Sequence, residues 1–315
     1  MSGLKVLHLL YTGDEKGGAQ RVAVECAVYN KELYTSTVKR GGLVKILQQK
    51  SLRSLGFNKL ILNHKFDIIF CSDPRALIFS FFCLRSIFAK KYLILHSDKL
   101  IKHSRLIKLF CRIFIVNCVC TTQTQFEEFN SSVISASLVR IVDIPIMKNP
   151  NKKSYNLLYF GRFEKIKNIQ EIIDTFTCAR EKIHGLRLTI IGSGKYIPAS
   201  AEGVDIIANW VSHGELVKAM QDNSFVVNAT EYEGFSLQVM EGISNGLFPL
   251  VKSGELLLNY NLPKECKYNV ENVLKLMSLS DNDWNKKIVN IQSSLNFYLQ
   301  NTVHIKHYIE YEINH

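Results

Sequence analysis

The chain has 315 residues and a mass of 36.0 kDa, with 47% hydrophobic and 21% charged side chains, which is enough for two compact domains of roughly 150 residues each. Only 6 Pro and 17 Gly, with no repetitive tract, exclude collagenous, mucin-like and largely disordered classes. The formal charge of +11 lies entirely in the first half, where residues 1–150 hold 22 Lys and Arg against 10 Asp and Glu; the remaining 17 against 18 exclude a uniformly basic nucleic-acid coat.

Reading forward, Lys5 to Tyr11 is a short apolar run suited to a buried parallel strand, followed by a glycine-bearing loop, Thr12 to Gly18, and a helical pattern over Ala19 to Tyr29. Phe66 to Cys71 and Tyr92 to Leu95 predict further buried strands with Pro74 to Ala89 as a connecting helix, and Phe114 to Cys120 another strand. After Ile141-Val142-Asp143-Ile144-Pro145, the polar segment Lys148 to Lys153 predicts a linker. A second alternation then begins: strands over Asn156–Phe160, Leu186–Ile191, Val204–Ile207, Phe225–Ala229 and Phe248–Lys252, and helices over Asn168–Arg180, Gly214–Asp222 and Leu237–Asn245. From about Asp281 the chain is helical in pattern, with Ile288, Ile291, Leu295 and Tyr298 at helical spacing. Two such halves with right-handed crossovers predict two doubly wound parallel sheets separated by a cleft, with ligands beyond the carboxyl ends of the strands.

The 8 Cys, at positions 26, 71, 83, 111, 118, 120, 178 and 266, lie mostly in apolar runs and share no Cys-x2-Cys spacing, so they read as buried reduced thiols of a cytoplasmic protein, with no metal site. The opening residues do not read as a secretory leader, and the oiliest stretches, Ala76 to Phe88 and Leu109 to Cys120, are interrupted by Arg85 and Arg112 and fall short of the roughly 20 residues that span a bilayer. Lys and Arg interleaved with Phe, Ile and Leu from Ala76 to Val119 suit an anionic membrane surface or an acidic substrate; a solvated basic face over buried apolar stripes is the competing reading.

Two constellations carry chemistry. In Thr230 to Gly246, Glu233 and Glu241 flank the start of a helix whose free N–H groups favour an anion, and Gly234 and Ser236 let the backbone come close to a ligand. One carboxylate can accept hydrogen bonds from sugar hydroxyls and the other from a ribose diol. In Leu158 to Asn168, Arg162 offers a planar fork just after a strand and Lys167 a point charge five residues on, an arrangement that can converge on a diphosphate without a metal.

These residues resemble the retaining glycosyltransferases of the GT-B fold, in particular glycosyltransferase family 4 (group 1), firmly over residues 154–252. Gly161-Arg162 with Lys167 matches the Gly-Arg-x4-Lys signature, Glu233 with Glu241 the Glu-x7-Glu signature, and Ile190-Ile191-Gly192-Ser193-Gly194 a strand ending in Gly-x-Gly; Gly17-Gly18-Ala19-Gln20-Arg21 is similar to the amino-terminal Gly-Gly-Ala-Glu-Arg element. The resemblance implies two Rossmann-like domains facing across a cleft: residues 1–150 for the acceptor, 151–295 for the nucleotide sugar, and 296–315 as a helix packing back on the first. It implies that Arg162 and Lys167 bind the donor diphosphate, that Glu233 faces the donor sugar, and that His96 stands near it. Donor contacts would come from Gly17, Gly18, Gly161, Gly192, Gly194, Gly234, Phe235, Ser236, Leu237 and Glu241, the last on the ribose.

No cofactor is implied beyond the nucleotide sugar as substrate, with UDP and GDP unresolved. The expected acceptor is a glycan or lipid-linked glycan of polysaccharide or lipopolysaccharide assembly, handled by a cytoplasmic or membrane-peripheral protein without nucleic acid. The chain departs from the family pattern at Val142-Asp143-Ile144-Pro145, Gln20 and Asn209-Trp210-Val211. A nicotinamide oxidoreductase is disfavoured because Gly192-Ser193-Gly194 lacks the third glycine and Pro198 follows, and Gly-x4-Gly-Lys-Ser/Thr is missing. A non-catalytic scaffold of the same fold stays open.

Overall fold

The computed structural model describes all residues except 1–3, 14–17, 40, 57–63, 97, 132–134, 141–152, 232, 234, 301 and 315. The chain divides into two units, Met1–Asp143 with Thr302–His315, and Ile144–Asn301.

The first unit runs β1 (Val6–Leu10), α1 (Gly18–Tyr29), β2 (Tyr34–Thr37), α2 (Leu43–Gln49), β3 (Ser54–Gly56), β4 (Ile68–Cys71), α3 (Pro74–Ser80), β5 (Lys90–Leu95), α4 (Ser104–Ile113), β6 (Val116–Cys120), α5 (Gln123–Phe129) and β7 (Ala136–Arg140). Among the described residues the sheet order is β3-β2-β1-β4-β5-β6-β7, all parallel, so the order reverses between β1 and β4. Parallel strands covered on both faces must be apolar throughout, and all five residues of β1 are buried. The connection predicted as one helix over Pro74 to Ala89 is shorter. Asp73 caps α3 by accepting from the N–H groups of Arg75 and Ala76, but the helix stops at Ser80, whose hydroxyl turns back onto the Leu77 carbonyl. A single 3-10 turn, Leu84–Ser86, follows. The thiols are buried except that of Cys178, which is exposed, a correction to the uniform burial expected.

The second unit runs β8 (Asn156–Phe163), α6 (Ile169–Arg180), β9 (Arg187–Gly194), β10 (Val204–Ile207), α7 (His213–Gln221), β11 (Phe225–Asn228), α8 (Leu237–Ser244), β12 (Phe248–Val251), α9 (Gly254–Asn259), α10 (Val270–Met277) and α11 (Asp281–Gln300). Its parallel sheet has the order β10-β9-β8-β11-β12, which reverses between β8 and β11. In α6 the apolar side chains Ile169, Ile172, Ile173, Phe176 and Ala179 recur at helical spacing and all are buried. Trp284, Ile288, Ile291 and Leu295 do the same in α11, and the Trp284 ring lies 4.8 Å from Phe225 and 5.3 Å from Phe248, pinning the helix under β11 and β12. Each Ile, Leu or Phe among them contributes about 1.5–3 kcal/mol on full burial. Residues 296–300, expected to open a separate terminal helix, complete α11 instead, because its buried stripe is continuous to Leu295.

The chain then returns to the first unit. β13 (Val303–His304) adds to the free edge of β7, and α12 (Ile305–Asn314) covers α1 and β5, with Glu310 accepting from the Tyr29 hydroxyl at 2.9 Å and Glu312 paired with Lys90 at 2.8 Å. The predicted linker, Lys148 to Lys153, and Ile141 to Pro145 lie outside the described residues apart from Lys153.

Candidate active site

β8 and β9 stay paired to the last residue, Gly161 against Gly192 and Phe163 against Gly194, so Arg162 lies within β8 and not in a loop after it. The glycines make this possible. A Cβ on Gly192 would fall 1.8 Å from the Gly161 carbonyl oxygen, and one on Gly194 2.3 Å from that of Phe163. The Gly-x-Gly pair expected to contact donor therefore serves, in the first place, the close approach of two strands. Beyond β8 the chain makes one 3-10 turn, Lys165–Lys167, and Asn168 adopts a left-handed conformation with φ 47° before α6 begins. Asn tolerates that region better than most side chains. The Asn168 amide donates to the Ala229 carbonyl at 3.3 Å, tying this loop to the one after β11.

That tie brings Lys167 to Glu233 across the reversal point of the sheet, where an open parallel sheet forms its ligand crevice. The Lys167 ammonium lies 2.9 and 3.0 Å from the two carboxylate oxygens of Glu233. Both side chains are only about one-fifth exposed, at 19% and 18%. Asn228, the fully buried last residue of β11, orients the carboxylate: its side-chain nitrogen Nδ2 is 3.0 Å from Glu233 Oε2 and 3.0 Å from Gln238 Oε1, and its side-chain oxygen Oδ1 accepts from the Thr230 N–H. The Ser253 hydroxyl holds the Glu233 backbone carbonyl at 3.2 Å. Tyr159 lies under the same charges; burial first, then the Glu233 and Glu164 carboxylates, raise its phenol well above the usual range, and its hydroxyl donates to the Arg162 carbonyl.

The expected residues separate into groups. Lys167 and Glu233 meet. Arg162 pairs with Glu164 at 2.7 Å, nearly half exposed, and makes no ion pair with Glu233. Leu237 and Glu241 share a partly exposed face of α8, one turn apart, while Gly242 packs so tightly on β11 that a Cβ there would lie 2.5 Å from Val226. Ser236 is the helix cap, its hydroxyl accepting from the Val239 N–H, and its own N–H meets the Tyr260 hydroxyl at 3.3 Å. Phe235 packs its ring against Tyr260 and Tyr298. Gly17 and Gly234 lie outside the described residues, and Gly18 opens α1. Asn228, Gln238, Ser253 and Tyr159 escaped the sequence reading, although a polar residue closing the apolar run Phe225-Val226-Val227 was a signal for Asn228.

A cleft of about 440 Å³ flanks this network, lined by Asn168, Gln170, Glu171, Tyr196, Ile197 and Glu231 among others, but not by Lys167 or Glu233. Lys252 joins two of its acids, at 2.7 Å from Glu171 and 3.3 Å from Glu231, and these carboxylates raise its ammonium above the ordinary lysine range.

In the first unit, His96 follows β5 at the carboxyl edge of the sheet, and both of its ring nitrogens are buried without a hydrogen-bond partner. Burial pushes its pKa down to about 4. His8, inside β1, shares a 2.8 Å hydrogen bond with the Ser72 hydroxyl through Nε2 and is pushed down to about 3, by burial and then by His96. Both rings are neutral at pH 7. Gln20 of α1 reaches back to Thr12, its side-chain amide 3.0 Å from the Thr12 hydroxyl.

Residues 154–254 match the family model described as glycosyl transferases group 1. No curated protein matches the chain in sequence. Among solved structures, HepE of Anabaena in complex with UDP and glucose is similar over 99% of both chains, at 12% identity and a TM-score of 0.73. TarM is similar at 10% identity over 98% of this chain and 97% of its own, with a TM-score of 0.67. OtsA, trehalose-6-phosphate synthase, is similar at 10% identity over 98% of both chains, with a TM-score of 0.67. The chain thus has the two-unit, parallel-sheet α/β fold of the GT-B glycosyltransferases, and its second unit carries the group 1 pattern over residues 154–254.

Proposed function

We propose that the protein is a retaining, metal-independent glycosyltransferase of family 4 type, moving a sugar from a uridine diphosphate donor to a hydroxyl of a glycan or lipid-linked glycan in surface polysaccharide assembly. One observation carries the reading: the pairing of Lys167 with Glu233 at the reversal point of the unit that matches the group 1 model. The UDP bound to HepE supports uridine in the donor.

In this reaction the bond between the anomeric carbon and the β-phosphate oxygen breaks and a bond from the acceptor oxygen to the same face of that carbon forms, while the acceptor's proton passes to the departing phosphate. Lys167 and the Arg162 fork neutralise the charge that develops on the leaving group. A diphosphate must draw Lys167 from Glu233 and Arg162 from Glu164; the released Glu233 carboxylate then accepts from sugar hydroxyls, and Glu241 from the ribose diol. His96 of the first unit, held neutral, keeps a ring N–H that can donate a hydrogen bond without adding charge.

Titration of the purified protein with UDP, followed by turnover of a panel of UDP- and GDP-sugars with and without candidate acceptors, tests the proposal. Binding of UDP and slow donor hydrolysis that a metal chelator leaves unchanged are expected. UDP binding with no hydrolysis or transfer from any donor would indicate a nucleotide-sugar-binding scaffold.

A further inference from the structure

One surface of the first unit has no part in the donor chemistry. From residue 74 to residue 122 the sequence has nine Lys and Arg and a single acid, Asp98. Large exposed apolar side chains crowd the same stretch, with Phe88 99% and Ile115 85% accessible. Phe88 and Ile115 precede β5 and β6, neighbouring parallel strands paired from Lys91 to Val116, so both stand at the amino edge of the sheet. Along α4, Leu106, Leu109 and Ile113 form an exposed stripe opposite the buried Ser104 and Cys111. Arg105 and Arg112, two turns apart, flank it. Phe81 joins the two segments, its ring 5.8 Å from Phe110 and 4.8 Å from Phe114. Arg85 and Arg112 have no ion-pair partner among the described residues, and no helix there is long and apolar enough to cross a membrane.

We propose that this face, α4 with the turns before β5 and β6, docks on an anionic lipid bilayer. Apolar side chains that project into solvent beside Arg85 and Arg112, unpaired among the described residues, fit an interface of acyl chains beneath acidic headgroups, while Lys90 and Lys108 of the same region are paired with Glu312 and Glu128. A second copy of the chain fits poorly, because face-to-face packing sets Arg85, Arg105 and Arg112 against their equals. The inference extends the lipid-linked acceptor of the proposed function but does not depend on it, since lipid binding needs no donor.

Sedimentation with phosphatidylcholine vesicles, with and without phosphatidylglycerol and at low and high salt, tests the proposal on the full chain. The wild type is expected on the anionic vesicles only, with salt weakening the binding. The double variant Arg85→Glu/Arg112→Glu should lower partition about 30-fold or more, at about five-fold for each basic residue removed from the surface. Phe88→Ser/Ile115→Ser should lower it about ten-fold or more. Both variants change exposed side chains and should bind UDP as the wild type does, which reports folding separately. Wild-type protein that ignores anionic vesicles, variants that bind them undiminished, or a wild-type dimer that both variants dissociate would each overturn the inference. Loss of UDP binding with vesicle binding intact would strike the proposed function alone.

Discussion

The two units share a strand order that reverses beside the first strand of each sheet, yet they furnish that point differently. In the second unit the reversal lies between β8 and β11 and holds a lysine and a glutamate, one-fifth exposed and fixed by Asn228. In the first it lies between β1 and β4, where His8 and Ser72 share a hydrogen bond and nearby His96 has neither ring nitrogen satisfied. Fold alone therefore supplies two equivalent reversal points, and side chains decide how each is furnished. The comparison also separates two uses of positive charge. In the second unit Lys167 is held in a pair at the reversal point, whereas in the first Arg85 and Arg112 stand beside exposed apolar side chains.

The comparison breaks most visibly at Lys167. Lys167→Ala should lower donor turnover by about 10²–10³-fold, the usual cost of removing one preorganised group that stabilises transition-state charge. Steady-state rates with a competent UDP-sugar measure it, and a rate within two-fold of wild type, as an order-of-magnitude limit, would return Lys167 to a purely structural ion pair. Next is Gly192→Ala, which drives a methyl into the Gly161 carbonyl and should cost about 3 kcal/mol or more, read as a lower denaturant midpoint. An unchanged midpoint would mean that the two strand ends part without cost.

The histidines sharpen the other side of the comparison. Their folded pKa values, about 3 for His8 and about 4 for His96, lie below the unfolded value near 6.5, so the unfolded chain binds more protons in that window. Stability is thus full above about pH 6.5 and falls as the pH drops toward 4, by about 1.4 kcal/mol per pH unit for each ring. Thermal midpoints across this range should show the loss, and His96→Gln should flatten it. The smallest effect is expected at Arg162. Its pair with Glu164 is nearly half exposed, so Arg162→Ala should change stability by no more than about 0.5 kcal/mol while reducing turnover, and a large fall in stability with intact turnover would reverse the roles assigned here.

The fold was more legible than the details of the site. Buried parallel strands must be apolar on both faces, so runs such as Val6–Leu10 and Phe225-Val226-Val227 announce themselves. Short edge strands do not: Ser54–Gly56 and Val303–His304 owe their conformation to a neighbour's hydrogen bonds and leave little pattern. In the candidate site, residue type and spacing singled out Lys167 and Glu233, which the structure brings together. The partition of cations among carboxylates was not legible, because Lys167 and Glu233 are 66 residues apart and meet only through a left-handed Asn168 bonded to the Ala229 carbonyl. Ser236 adds a role that spacing alone does not announce: its hydroxyl caps the helix that follows.

The order of residues by itself determined two alternating α/β halves, a strongly basic first half and the identity of the charged groups, because hydrophobic period, charge and side-chain chemistry are local properties. Only the tertiary structure decided which charges pair, which histidines lose their protons and which apolar side chains remain uncovered. Pairing, desolvation and exposure depend on distances between residues far apart in the chain, and those distances exist only once the sheets have assembled.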